Sequence, residues 1–172
     1  MESHLLKKFE LGNKKGMKNF DYFLRIATII ARESDDPKHK VGCVLTNDKN
    51  EIIGTGYNKL PKENALFNWN EDDKSLVIHA EMSALLNRVD NNMNKELFCY
   101  STMQPCLDCM KHLVASGCKQ FYYLDKMPEK YNTPQAQQFI EIYKNDFQIF
   151  QVKNLENVVY SNKEGKNEIS HI

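Results

Sequence analysis

The sequence predicts an α/β domain of three layers, in which a five-stranded mixed sheet carries helices on both faces. Short β-rich runs alternate along the chain with segments whose apolar residues recur every three or four positions. The first two β-rich runs are separated only by the turn-forming residues NDKN (47–50), which is typical of an antiparallel hairpin. Helical segments separate the later runs, and this favours parallel neighbours in the rest of the sheet.

Each element follows from a local signal. Asn19 is expected as the N-cap of a first helix, and residues 41–46 and 51–58 as the two strands of the hairpin. A second helix is expected from about His79, with Ala80, Ala84, Leu85 and Val89 sharing an apolar stripe. The remaining elements are a strand at 96–103, a helix at 106–116 closed by Gly117, a strand at 119–125, a helix from Thr133-Pro134 through Lys144, and a strand at 147–152.

The composition indicates a single globular domain. The chain has 172 residues, of which 41% are hydrophobic and 27% charged, and no apolar run approaches the roughly 18 residues of a membrane span. We expect a flexible N-terminal extension at 1–16, the domain at 17–152 and a polar C-terminal tail at 153–172. The first residues lack the apolar block of a secretory signal, and the five cysteines are odd in number. Both observations favour a cytoplasmic protein with free thiols.

The charge balance argues against a polyanionic partner. The chain carries 23 basic and 23 acidic residues, whereas proteins that bind nucleic acid usually show a clustered basic excess. A small-molecule substrate is therefore the starting hypothesis.

A pair of cysteines at a helix start suggests a metal site. Cys106 and Cys109 lie three positions apart, so both sulfurs share one face of the predicted helix and can point at one centre. The positive end of the helix dipole favours the thiolates that zinc binds. On its own the C-x-x-C pattern could equally be a redox pair or two core residues.

A second helix start carries the matching half of a known signature. His79 and Glu81 form H-x-E, which together with P-C-x-x-C marks zinc-dependent deaminases. His79, Cys106 and Cys109 make three ligands, so a fourth position is left for water, whose pKa zinc lowers towards about 7. Glu81 is placed to carry the proton of that water. The chemistry predicted is hydrolytic removal of an exocyclic amine.

These motifs resemble the deoxycytidylate (dCMP) deaminases of the cytidine deaminase-like fold. The resemblance runs from about Phe20 to Val152 and includes "SDDP", "GTGYNKLP", "HAEMSALL" and "TMQPCLDCMKHLVASG". It implies a zinc-dependent enzyme that converts dCMP to dUMP and ammonia and so feeds thymidylate synthesis. It also implies a homo-oligomer, either a dimer or a hexamer.

The resemblance also implies substrate contacts. Asn58 is expected to hold the deoxyribose, Tyr123 to pack on the pyrimidine, and the backbone of Ala80 and of Gln104 to read the base edge. Lys40 is a candidate for the cation that a 5′-phosphate requires.

Two positions depart from the pattern of the family. Lys59 stands where the family has glycine, and Ser83 where asparagine is usual. Many members are activated by dCTP and inhibited by dTTP near these segments. A lysine resists the close backbone approach and unusual φ values that glycine permits. We therefore expect hyperbolic kinetics with dCMP and little inhibition by dTTP. The alternative is that Lys59 turns outward and its charge pairs with an effector phosphate.

Cys43, Cys99 and Cys118 show no paired ligand spacing and are expected as core thiols.

Two other classes of function remain open at this stage. A nucleic-acid editing deaminase, such as the tRNA adenosine type, shares similar zinc motifs but fits the neutral charge poorly. A zinc-stabilised binding module without catalysis would need neither Glu81 nor an open ligand position.

Overall fold

The elements follow the predicted order. The structure, a computed structural model, describes residues 19–71, 73–90, 96–153 and 155, without the side chains of Asn19 and Tyr131. Its strands are β1 (Gly42–Asn47), β2 (Ile52–Tyr57), β3 (Leu97–Met103), β4 (Cys118–Asp125) and β5 (Gln148–Gln151). Its α-helices are α1 (Asn19–Ala31), α2 (Ala80–Leu86), α3 (Leu107–Ala115) and α4 (Pro134–Tyr143), with 3₁₀ turns at Lys74–Leu76 and Glu129–Tyr131.

The five strands form one mixed sheet in the order β2-β1-β3-β4-β5. β1 pairs antiparallel with both β2 and β3, whereas β3–β4 and β4–β5 are parallel pairs. The parallel connections pass through α3 and α4, as crossovers between parallel strands require. The predicted five-stranded mixed sheet is confirmed.

Alternation along the strands sends side chains into two separate cores. In β1, Cys43 and Leu45 belong to the core that also contains Ala84 of α2 and Leu113 of α3. Val44, between them, packs on the opposite face with residues of α1. Successive strand residues point to opposite faces, so helices cover both sides of the sheet. The three-layer prediction is therefore confirmed.

Local sequence signals correctly predicted several ends of the helices. Thr133 caps α4 by accepting a hydrogen bond from the backbone N–H of Ala136, and Pro134 is the first helical residue, as predicted. Gly117 closes α3 with a φ of 89°, in the left-handed region that glycine tolerates. The structure describes α1 from Asn19 onward, and the predicted cap at this residue stays a prediction.

The apolar stripe predicted for α2 is wrong at its end. The helix stops at Leu86, and Val89 lies beyond it with 84% of its surface exposed. Its backbone N–H donates to the carbonyl of Ile53, so this segment joins the β2 edge instead of continuing the helix.

The predicted extension at 1–16 lies outside the described residues, as does most of the tail predicted at 153–172. Within the described ranges, none of the helices has the length and apolar character needed to cross a bilayer.

Gly56 brings α2 unusually close to the sheet. A Cβ at this position would lie 2.3 Å from the backbone nitrogen of Ala84 and 2.6 Å from the carbonyl oxygen of Ala80. Both atoms belong to the backbone of α2 and cannot move without shifting the helix. Glycine at 56 therefore sets the distance between β2 and the helix that carries His79 and Glu81 at its start.

Gly56→Ala is expected to lower the free energy of unfolding by about 3 kcal/mol or more, because overpacking against a rigid backbone strains the fold. Urea denaturation measures this loss. Thr55→Ala, in the same strand, is the matched control and should cost about 1 kcal/mol or less. Equal costs for the two variants would mean that the close approach does not constrain α2.

Candidate active site

The site is built where the N-termini of two helices converge on the same face of the sheet. His79 is the N-cap of α2 and Cys106 is the N-cap of α3, and both have extended backbone conformations. α2 contacts α3 directly. The entry to α2 is tied down by an isolated antiparallel bridge, in which Lys59 and Ile78 exchange backbone hydrogen bonds of 3.0 and 2.8 Å.

The three predicted metal ligands are brought together. Nδ1 of His79 lies 3.4 Å from Sγ of Cys106 and 3.6 Å from Sγ of Cys109. All three potential ligand atoms lie within 4.8 Å of one another. Among the residues that the structure describes, this is the one cluster of three or more such side chains with that geometry.

The donor set fits zinc. Zinc binds imidazole nitrogen at about 2.0–2.1 Å and thiolate sulfur at about 2.3 Å in tetrahedral geometry, which places the nitrogen and sulfur about 3.6 Å apart. The observed separations of 3.4 and 3.6 Å match this spacing. One nitrogen and two sulfurs also leave a tetrahedral set one ligand short, as in catalytic zinc sites.

The two sulfurs carry charge unequally. Contact with the Cys109 thiol, together with the hydrogen bond to His79, lowers the pKa of Cys106 to about 4. The same contact with Cys106, together with burial, raises the pKa of Cys109 well above its ordinary value. The pair thus already holds thiolate character at neutral pH, which is the form that binds metals.

Glu81 lies beside this cluster in the first turn of α2. Its side chain is buried, and its Oε2 is 3.6 Å from Sγ of Cys109. Burial raises the pKa of Glu81 to about 7, against the opposing effect of the nearby His79. A carboxyl group with this pKa can both accept and release a proton near neutral pH.

A cleft opens onto these residues. It has a volume of about 710 Å³, which includes its open mouth, and His79, Glu81 and Cys106 line one part of it. The other lining residues are Asp36, His39, Val41, Asn58, Lys74, Val77, Ala80, Met103, Gln104, Met127 and Pro128. A mostly apolar cleft with a few converging polar groups is typical of a small-molecule site.

Residues 17–125 match the family model described as "Cytidine and deoxycytidylate deaminase zinc-binding region". The match covers more than half of the chain and contains the three residues of the cluster and Glu81. The chain belongs to this family.

Curated relatives carry names that agree with the family. The chain is 36% identical over 120 residues to a protein of Caenorhabditis elegans named "Probable deoxycytidylate deaminase", covering 66% of this chain and 60% of the relative. It is 32% identical over 125 residues to a protein of the same name from Drosophila melanogaster, covering 64% and 61%. The chain thus spans about three fifths of the length of these relatives.

Solved structures support the fold. The dCMP deaminase of the cyanophage S-TIM5, in complex with dCMP and dUMP, is similar with a TM-score of 0.60 and 22% identity. The similarity covers 77% of this chain and 95% of that one. It shows that this family member has the cytidine deaminase-like fold predicted from the sequence.

Asn58 lines the cleft, but its side chain also has a structural role. Its Oδ1 accepts a hydrogen bond from the backbone N–H of Val41 at 2.8 Å, and its Nδ2 donates to the carbonyl of His39 at 2.9 Å. The hydroxyl of Ser34 donates to the backbone carbonyl of Asn58 at 3.0 Å. Asn58 therefore joins the end of β2 to the segment before β1.

The structure brings neither Lys40 nor Tyr123 to the cleft. Nζ of Lys40 donates to the backbone carbonyl of Ser34, near the end of α1. Tyr123 lies on the sheet face that carries the site, but its ring is only 1% exposed and belongs to the core. Ala80 and Gln104, by contrast, line the cleft, and their contacts to the base edge stay a prediction.

Sequence reasoning missed two charged residues of the cleft. Asp36 belongs to the "SDDP" motif, whose turn-forming character was the available signal. Lys74 lies in a segment without hydrophobic periodicity, and no local pattern marks it. Its position in the cleft depends on how the chain between β2 and α2 folds back.

Lys59 occupies the glycine position of the family without strain. Among the described residues, only Asn50 and Gly117 have positive φ values, so the backbone at 59 does not require glycine. The Lys59 ammonium lies 5.5 Å from the centre of the Tyr57 ring. Ser83 is buried on the inner face of α2. That dCTP and dTTP do not regulate the protein stays a prediction. The backbone conformation at 59 gives it no support, so the prediction now depends on the bulk of the Lys59 side chain.

The other three cysteines are core thiols, as predicted. Cys43, Cys99 and Cys118 are buried and free. The sulfurs of Cys43 and Cys99 lie 3.3 Å apart across β1 and β3.

Asn58→Ala is expected to lower the free energy of unfolding by about 1–3 kcal/mol, because it removes two hydrogen bonds that join separate segments. The measurement is urea denaturation. Asn64→Ala is the matched control, since Asn64 is exposed and accepts one local bond from the N–H of Leu66. A purely substrate-binding role for Asn58 would give the two variants equal stability.

Proposed function

We propose that this chain is a zinc-dependent deaminase that hydrolyses dCMP to dUMP and ammonia. The observation that carries the proposal is the buried Glu81 carboxyl group beside a His–Cys–Cys cluster in one cleft. The names of the relatives from Caenorhabditis elegans and Drosophila melanogaster support deoxycytidylate as the substrate. The formal net charge of zero supports a free nucleotide as the substrate, because proteins that bind nucleic acid usually carry a basic excess.

We assign zinc to His79, Cys106 and Cys109. The spacing of their nitrogen and sulfur atoms supports this assignment. When bound, zinc supplies a Lewis acid that lowers the pKa of a water molecule towards about 7.

Glu81 is the proposed proton carrier. Its pKa of about 7 allows the carboxylate to accept a proton from the attacking water and then to return it. In the reaction, the water oxygen adds to the ring carbon that bears the amine, and Glu81 passes the first proton of the water to the ring nitrogen. Glu81 then passes the second proton of the water to the amino group. The carbon–nitrogen bond breaks, ammonia leaves, and the carbonyl group of dUMP forms. Oε2 of Glu81 lies 3.6 Å from Sγ of Cys109, so the carboxyl group is at the edge of the cluster.

The remaining contacts orient the nucleotide. We propose that the backbone groups of Ala80 and Gln104 bind the base edge, because both residues line the cleft next to the cluster. We propose that Asn58 also contacts the deoxyribose. An amide side chain has two N–H donors and two acceptor lone pairs, so its two bonds within the protein are compatible with a third to a sugar hydroxyl.

We further propose that residues 17–152 are the catalytic domain and that it works as a homo-oligomer, a dimer or hexamer, in the cytoplasm. Large apolar side chains that are more than half exposed are candidates for the contact between subunits, namely Ile29, Leu66, Leu76, Leu86, Val89 and Ile142. The five free thiols support a reducing compartment.

Glu81→Gln is expected to lower the turnover of dCMP by about 10²-fold to 10⁴-fold, because the amide cannot carry a proton. Ammonia release is measured against dCMP, and zinc content is measured by elemental analysis. Zinc should remain at one ion per chain, since Glu81 is not one of the ligands. Glu63→Gln, at an exposed position, is the control and should retain full turnover.

Wild-type turnover in the zinc-loaded Glu81→Gln variant would reject this mechanism. Absence of ammonia release by the zinc-loaded wild-type protein would reject the function and favour a binding module.

A further inference from the structure

Lys74 places a fixed positive charge at the cleft. Its ammonium nitrogen lies 3.4 Å from Oδ2 of Asp36 and 4.5 Å from the centre of the Trp69 ring. It also donates a hydrogen bond to the backbone carbonyl of Trp69. About a third of the side chain, 34%, remains exposed. The charge is thus held in place by three contacts while it keeps access to solvent in the cleft.

Asp36 organises the wall on which this charge lies. Its side chain is only 5% exposed, and its Oδ1 accepts hydrogen bonds from the backbone N–H groups of Lys38 at 2.9 Å and His39 at 3.2 Å. His39 also lines the cleft. One wall of the cleft therefore combines a buried carboxylate with a lysine and a histidine. Without Lys74, the charge of Asp36 would repel an anion that enters here.

We propose that Lys74 binds the phosphate group of the substrate and so makes the site selective for a nucleoside monophosphate over a nucleoside. This inference rests on the proposed function. Among the described residues that line the cleft, Lys74 is the only lysine or arginine. Lys40, the sequence-based candidate, lies outside the lining and donates to a backbone carbonyl.

The surroundings of Lys74 suit a phosphate contact. A charge-assisted hydrogen bond from an ammonium to a phosphate oxygen is stronger than a neutral one. A lysine normally loses side-chain freedom when it binds a ligand, but the packing against Trp69 already restricts this side chain. Asp36 fixes the position of the ammonium and neutralises part of its charge. The phosphate would therefore meet a preorganised donor, with His39 on the same wall.

The single tryptophan provides a direct binding assay. Trp69 is the only tryptophan of the chain, and its ring lies against the Lys74 ammonium. We expect its fluorescence to change on titration with dUMP, the proposed product, and with deoxyuridine, which lacks the phosphate. The wild-type protein should bind dUMP about 10-fold to 100-fold more tightly than deoxyuridine, the range expected for one charged hydrogen bond.

The test compares this preference among variants. Lys74→Gln should bring the ratio of the two dissociation constants close to one. Lys62→Gln, an exposed lysine of the same segment, should leave the ratio at its wild-type value. Asp36→Asn keeps an acceptor for the two N–H groups and removes the negative charge, so the ratio should stay or rise. A merely structural role for Lys74 would weaken both ligands equally and leave the ratio unchanged.

An unchanged ratio in Lys74→Gln overturns the inference, and so does a loss of the preference in Lys40→Gln with Lys74→Gln unaffected. Equal binding of dUMP and deoxyuridine by a wild-type protein that deaminates dCMP overturns the inference and leaves the proposed function standing. A wild-type protein that binds neither ligand and releases no ammonia from dCMP overturns both.

Discussion

The close packing of α2 against β2 is the constraint on which the site depends. Glycine at position 56 lets the backbone of α2 approach the strand, with no room for a Cβ beside Ala84. This contact fixes the helix along its length, and the Lys59–Ile78 bridge fixes the chain just before it. His79 and Glu81 then have one position relative to the sheet. Because α3 follows β3 on the same face, its first turn brings Cys106 and Cys109 to the same place.

Burial changes the pKa values of the side chains where the two helix starts meet. A carboxyl group in water would be ionised at neutral pH, but Glu81 is shielded by the packing that positions it, and its pKa rises to about 7. The Cys106 thiol beside it shifts in the opposite direction, because its contacts favour the charged form. One fold thus supplies a soft, negatively charged ligand next to a group that exchanges protons. Lys74 lines the same cleft, where its ammonium group is paired with Asp36.

The features predictable from sequence were those encoded locally. Strand alternation, the Thr133-Pro134 start and the Gly117 stop follow from the preferences of single residues, and H-x-E with P-C-x-x-C places the cluster at two helix starts. The depth of Tyr123 in the core and the end of α2 before Val89 depend on packing between distant segments. Asp36 and Lys74 form an ion pair although they are distant in the sequence and Lys74 lies in a segment without hydrophobic periodicity. No local pattern predicts such a contact.

X-ray absorption at the zinc edge of the zinc-loaded protein tests the central claim most directly. If the two helix starts hold one ion, the spectrum will show two sulfur ligands at about 2.3 Å and nitrogen or oxygen ligands at about 2.0–2.1 Å. The Cys106→Ser variant should lose one sulfur ligand or the metal itself, and Cys43→Ser should leave the spectrum unchanged. A spectrum with fewer than two sulfur ligands in the wild-type protein, or one that Cys106→Ser does not alter, would contradict the account.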